Sequence, residues 1–115
     1  MNRYLVSGIL KDALAGKQVI VVTERQGDAA NALEALAGSV PPVAVLTVSR
    51  ANGSEHMVFR GGGSVRLLAA NRGDSLRGYS ADVVVLCDGT AAHWETLQDA
   101  MYTAIALNGG EVIRA

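Results

Sequence analysis

Two runs of β-branched residues, Gln18–Thr23 (QVIVVT) and Ala81–Cys87 (ADVVVLC), limit what this chain can fold into. Each is short and continuously apolar, the pattern of a strand covered on both faces. A strand of that kind needs helices above and below its sheet, so the rest of the chain must supply them.

It does so at helical spacing. Tyr4, Val6, Ile9, Leu10, Ala13 and Leu14 predict a first helix, and Gly16 stands where its C-cap belongs. Gln26–Ala37 predicts a second, with Ala30, Leu33, Leu36 and Ala37 as its apolar stripe and Gly38 as its end. Thr90 is placed to cap a third, running to about Leu107 with Trp94, Leu97, Met101, Ala104 and Ile105 on one face. Pro41 and Pro42 precede a strand expected over Val43–Ser49. Glu55–Arg60 and Ser64–Ala70, joined by Gly61-Gly62-Gly63, read as a β-hairpin. Glu111–Arg114 forms a possible last strand after Gly109-Gly110. The order predicts an α/β fold: three layers about a mainly parallel sheet, with one inserted β-hairpin.

At 115 residues, half of them hydrophobic, the chain is expected to make one domain over 1–115 with a real core. No window approaches the roughly 18 uninterrupted apolar residues of a membrane span. The N-terminus, broken by Lys11 and Asp12, does not read as a signal peptide. Cys87, the single cysteine, has no intramolecular disulfide partner, which fits a cytoplasmic location. The net charge of -1 and the scarcity of aromatic residues, 4%, speak against a dedicated nucleic-acid binder. A local basic bias remains, since Arg50, Arg60, Arg66, Arg72 and Arg77 are half of the ten lysines and arginines.

Three segments carry a family resemblance. Ala15-Gly16-Lys17-Gln18-Val19-Ile20-Val21-Val22-Thr23 matches the pattern aGkxVlvvt. Asn52-Gly53-Ser54 and Val58 to Leu67 match a hairpin of the form NGs...f.gGs.irf.a. Ser75-Leu76-Arg77-Gly78-Tyr79-Ser80-Ala81-Asp82-Val83-Val84-Val85-Leu86 matches slRGysaDvvvlDEa, the most specific of the three. The chain thus resembles, from about Val6 to Leu107, the ATPase core of phage terminase large subunits and, more distantly, superfamily 2 helicases. The resemblance implies a RecA-like P-loop NTPase core and a phage-encoded protein in the host cytoplasm.

The departures are as informative as the matches. The sequence holds no GxxxxGK[ST], the Walker A string whose amides cradle phosphates. By the resemblance, the chain starts near the helix that follows that loop, so it reads as a truncated, degenerate core. Where the family has the Walker B Asp-Glu, this chain has Cys87-Asp88. A thiol is a poor ligand for the hard Mg²⁺ ion, and Asp88 in the glutamate slot is one methylene short. Asp88 therefore reads as a relic of catalysis, and an active ATPase is not expected of this chain by itself.

The resulting expectation is a non-catalytic protein, with no cofactor and no metal, acting by protein–protein binding or self-association through an exposed sheet edge. In the family a first strand lies beside the Walker B strand. Its loss opens an edge that either Glu111–Arg114 or a partner must cover. The alternatives are a residual nucleotide or nucleic-acid site lined by Arg72, Arg77, Asp82 and Asp88, with ATP and Mg²⁺ as its ligands, or one part of a split NTPase completed by another chain. Each candidate also has a structural role open to it: Asp88-Gly89-Thr90 as a turn into a helix, Arg77 paired with Asp74 or Asp82, and Gly61-Gly62-Gly63 as a hairpin turn. A nucleophilic Cys87 would need His93 as its base, and neither His56 nor His93 has a partner at metal-ligand spacing.

Overall fold

A computed structural model describes residues 1–71, 76, 78–106 and 109–114, with the side chains of 91, 92, 94 and 96 excepted. Its helices are α1 (Arg3–Leu14), α2 (Gln26–Ala37) and α3 (Trp94–Ala106). Its strands are β1 (Gln18–Thr23), β2 (Val45–Ser49), β3 (His56–Phe59), β4 (Ser64–Ala69), β5 (Val83–Leu86) and β6 (Glu111–Arg114). They form one sheet in the order β2-β3-β4-β1-β5-β6. The pairs β4–β1, β1–β5 and β5–β6 are parallel, and β2–β3 and β3–β4 antiparallel.

The continuous apolar runs sit at the centre, as their pattern requires. Val19 and Val21 face α1 and α2 together with Val65, Leu67, Val83 and Val85. Ile20 and Val22 face α3 together with Val84, Leu86, Leu97 and Met101. Two apolar layers thus separate three layers of backbone.

Four boundaries or stripes differ from the sequence expectation. Residues 43 and 44 belong to a 3₁₀ turn, Pro42–Ala44, and the strand starts at Val45, because Pro42 opens the turn with its fixed φ. On α2 the inward stripe is Ala29, Ala32, Leu33 and Leu36, while Ala30 is exposed. On α1, Tyr4 and Leu14 point outward, so only Val6, Ile9, Leu10 and Ala13 are buried. A 3₁₀ turn over Thr90–His93 precedes α3. The Thr90 hydroxyl donates back to the Cys87 carbonyl at 2.8 Å, which locks the chain reversal after β5.

The hairpin turn closes as expected: Phe59 N–H donates to Gly63 O at 2.9 Å and Gly62 N–H to Phe59 O at 3.0 Å. Gln18, unremarked in the sequence, ties this turn to β1. Its amide Nε2 donates to Gly62 O at 2.9 Å, and its Oε1 accepts from the Ser64 hydroxyl.

Candidate functional site

At the C-terminal ends of β1 and β5 lies a cleft of about 400 Å³. Strand C-termini are where open α/β sheets bind ligands. Thr23 at the end of β1 and the two residues after it (Glu24, Arg25) form one wall, and those following β5 (Cys87, Asp88) the other. The first turns of α1 and α2 close it with Asn2 and Asp28.

Much of this polar lining is engaged in holding the fold. Asn2 Oδ1 accepts from Leu5 N–H at 2.9 Å and so caps α1. Asp28 Oδ2 accepts from Arg25 N–H at 3.2 Å, and the same oxygen lies 3.7 Å from Arg25 Nε. The Thr23 hydroxyl donates to Arg25 O at 3.0 Å. Gly89 is in the left-handed region at φ 87°, and a Cβ there would run into the Glu24 carboxylate. The turn after β5 thus packs closely on the turn after β1, with Asp88 and Glu24 exposed beside it.

Cys87 is half-buried, and burial pushes its thiol above the usual range. The Met1 ammonium pulls the other way, and the Asp88 and Asp28 carboxylates add smaller upward pushes. A raised thiol is the reverse of what a nucleophile needs. His93 does not line the cleft that Cys87 lines. Among the described residues no group of three His, Cys, Asp or Glu side chains could hold a metal ion.

Of the four residues singled out in the sequence, Asp88 is in the cleft. Asp82 is at the opposite end of the sheet: its Oδ2 accepts from Gln18 N–H at 2.8 Å, beside the first residue of β1. The two aspartates are separated by the length of β5. Arg72 and Arg77 lie outside the described residues, as does Asp74. The other arginines of the basic segment are occupied locally. Arg50 pairs with Glu34 at 2.7 Å, Arg60 Nε donates to Val43 O at 2.6 Å, and the Arg66 guanidinium stacks 4.4 Å from the Tyr79 ring centroid.

The sequence reading missed Glu24, Arg25 and Asp28 as cleft residues. The signal was present: Thr23-Glu24-Arg25 ends one buried run just as Cys87-Asp88-Gly89 ends the other.

The sheet edges form the second feature. The expected strand Glu111–Arg114 is present and pairs with β5 in parallel, from Val83↔Glu111 to Leu86↔Arg114. The flank of β5 away from β1 is therefore covered by this chain, and the open edge moves outward to β6. Among the described residues no strand pairs with the outer side of β6. The other edge, β2, carries a register shift between Val45 and Thr47, an irregularity that blunts edge pairing.

The chain has a counterpart among solved structures. It superposes on the large terminase ATPase domain of Thermus phage P74-26 with a TM-score of 0.64 and 15% sequence identity. The fold is terminase-ATPase-like. The match covers 96% of this chain and 50% of the phage structure, so the chain spans half the length of that terminase domain. The shared fold is the six-stranded sheet with helices on both faces. No family model and no curated protein matches the sequence.

Proposed function

We propose that this chain is a non-catalytic, phage-type derivative of the terminase ATPase fold that works by binding another protein along the edge of its sheet. The observation that carries the reading is the outer side of β6. Strands of a parallel sheet normally have both faces covered. Here a parallel strand ends the sheet with Ile113 36% exposed and no described strand beside it. An unpaired strand edge of this kind is a template for strand addition.

The strand-end cleft supports chemistry less well. The exposed Glu24 and Asp88 carboxylates repel polyphosphate, and of the positive groups beside them, the Met1 ammonium and Arg25, the latter is paired with Asp28 at 3.7 Å. A second reading, a residual nucleotide site or one part of a split NTPase, draws on the position and size of that cleft.

Site-directed photo-crosslinking separates the two surfaces. A photoreactive side chain at Ile113 should capture a protein of discrete mass in the native cell, while the same group at Asp88 should not. Capture from Asp88 and none from Ile113 would overturn the proposal.

A further inference from the structure

On the α1 side of β6 the structure leaves a small groove of about 90 Å³, walled by Tyr4, Leu5, Gly8 and Ile9 of α1 and by Ile113 of β6. That is about three water volumes, room for one branched aliphatic side chain. Gly8 keeps it open. It sits inside α1, where glycine is unfavourable, without a positive φ to explain it, and a Cβ there would meet nothing within 4 Å.

The groove is also charged at one end. Asp12 lines it there, and its only ion pair among the described residues, to Lys17, is long at 3.9 Å. Glu111 is at the same end. It pairs with Val83 and Ile113 with Val85, so both share the face on which Val83 and Val85 meet α1. Two carboxylates thus flank one end of an apolar slot that runs beside a strand edge on which no described strand pairs.

We propose that this edge takes an extended segment of a partner protein, added parallel to β6, with an aliphatic side chain in the groove and a basic residue against Asp12 and Glu111. The inference rests on the protein-binding reading and names the chemistry of the partner. A second copy of this chain fits less well. On the α1 face its β6 carries Glu111 and Ile113 and no cation, so it brings nothing to neutralise the two acids.

The test uses a blocked synthetic hexapeptide, Lys-Thr-Ile-Thr-Val-Thr, and its counterpart with glutamate in place of lysine. Affinity is read by fluorescence anisotropy and association state by sedimentation. The lysine peptide should bind, and Gly8→Leu, which fills the groove, should weaken it about tenfold or more. Asp12→Asn and the glutamate peptide should each bind about threefold more weakly, and Arg50→Ala should change nothing. Should Gly8→Leu fail to fold, Ile113→Lys closes the same groove from β6. Binding indifferent to both groove variants overturns the proposal. So does a dimer that Gly8→Leu dissociates, which would give the edge to a second copy. If crosslinking at Ile113 captures a protein while the lysine peptide does not bind, the protein-binding reading stands and the partner chemistry named here falls.

Discussion

Gln18 and Asp82 hold each other from both sides. The Gln18 N–H donates to Asp82 Oδ2 at 2.8 Å, and the Asp82 N–H donates to the Gln18 carbonyl at 2.8 Å. The Asp82 carbonyl in turn accepts from Glu111 N–H at 2.9 Å. One residue thus sets the register of three adjacent strands, β1, β5 and β6, at the end of the sheet away from the cleft.

Asp82→Ala should therefore act on stability and not on binding at the cleft. Leaving a part-buried N–H without its acceptor costs about 1–3 kcal/mol. Urea denaturation should show that loss, and Asp82→Asn, which keeps an acceptor oxygen, should recover much of it.

Gly63 should tolerate no side chain. A Cβ there would overlap the Ala13 carbonyl oxygen at the end of α1 and stand 3.0 Å from Lys17 O. These are backbone atoms that cannot swing away, so Gly63→Ala should destabilise by at least about 3 kcal/mol in thermal or chemical melts. Its role is close packing of the hairpin against α1, which is why the three-glycine run is no phosphate loop.

Glu55 is buried at 2% exposure. Its Oε2 accepts from Gln26 Nε2 at 2.5 Å, and its Oε1 has no hydrogen-bond partner among the described residues. A buried carboxylate so incompletely paired is a liability. Glu55→Gln keeps an acceptor for Gln26 and removes the buried acid, so it should raise stability by about 1 kcal/mol in urea denaturation.

Cys87 should alkylate slowly at neutral pH and faster only above the ordinary thiol range, because burial disfavours its thiolate. The same shift has a sign for folding. A folded pKa above the unfolded one leaves the Cys87 contribution intact below the unfolded thiol's range, and it is lost as pH rises through that range towards the folded value. An alkaline series of thermal melts should show this decline, and Cys87→Ser should remove that part of it.

The central strands were legible because a strand buried on both faces leaves one unbroken apolar run, and QVIVVT could do little else. The glycines ending α1 and α2 were equally plain. Which side of α1 faces inward was not: Tyr4 and Leu14 keep helical spacing with the core yet are exposed, and Tyr4 lines the groove beside β6. Of the cleft, Asp88 was legible from its place after a buried strand. The placement of Asp82 was not, since six positions in sequence become the full length of a strand in space. The groove beside β6 needed the structure, because it is made by the absence of a side chain at Gly8 and by a pairing between residues far apart in the chain.

The central proposal is that the strand-end cleft binds no nucleotide and that the protein works through the edge of its sheet. Titrating a fluorescent ATP analogue with and without Mg²⁺, on the wild type and on Asp88→Ala, tests this most directly. No binding is expected up to about millimolar, a regime of only about -4 kcal/mol. Binding that requires Mg²⁺ and disappears in Asp88→Ala would contradict it and return the cleft to nucleotide chemistry.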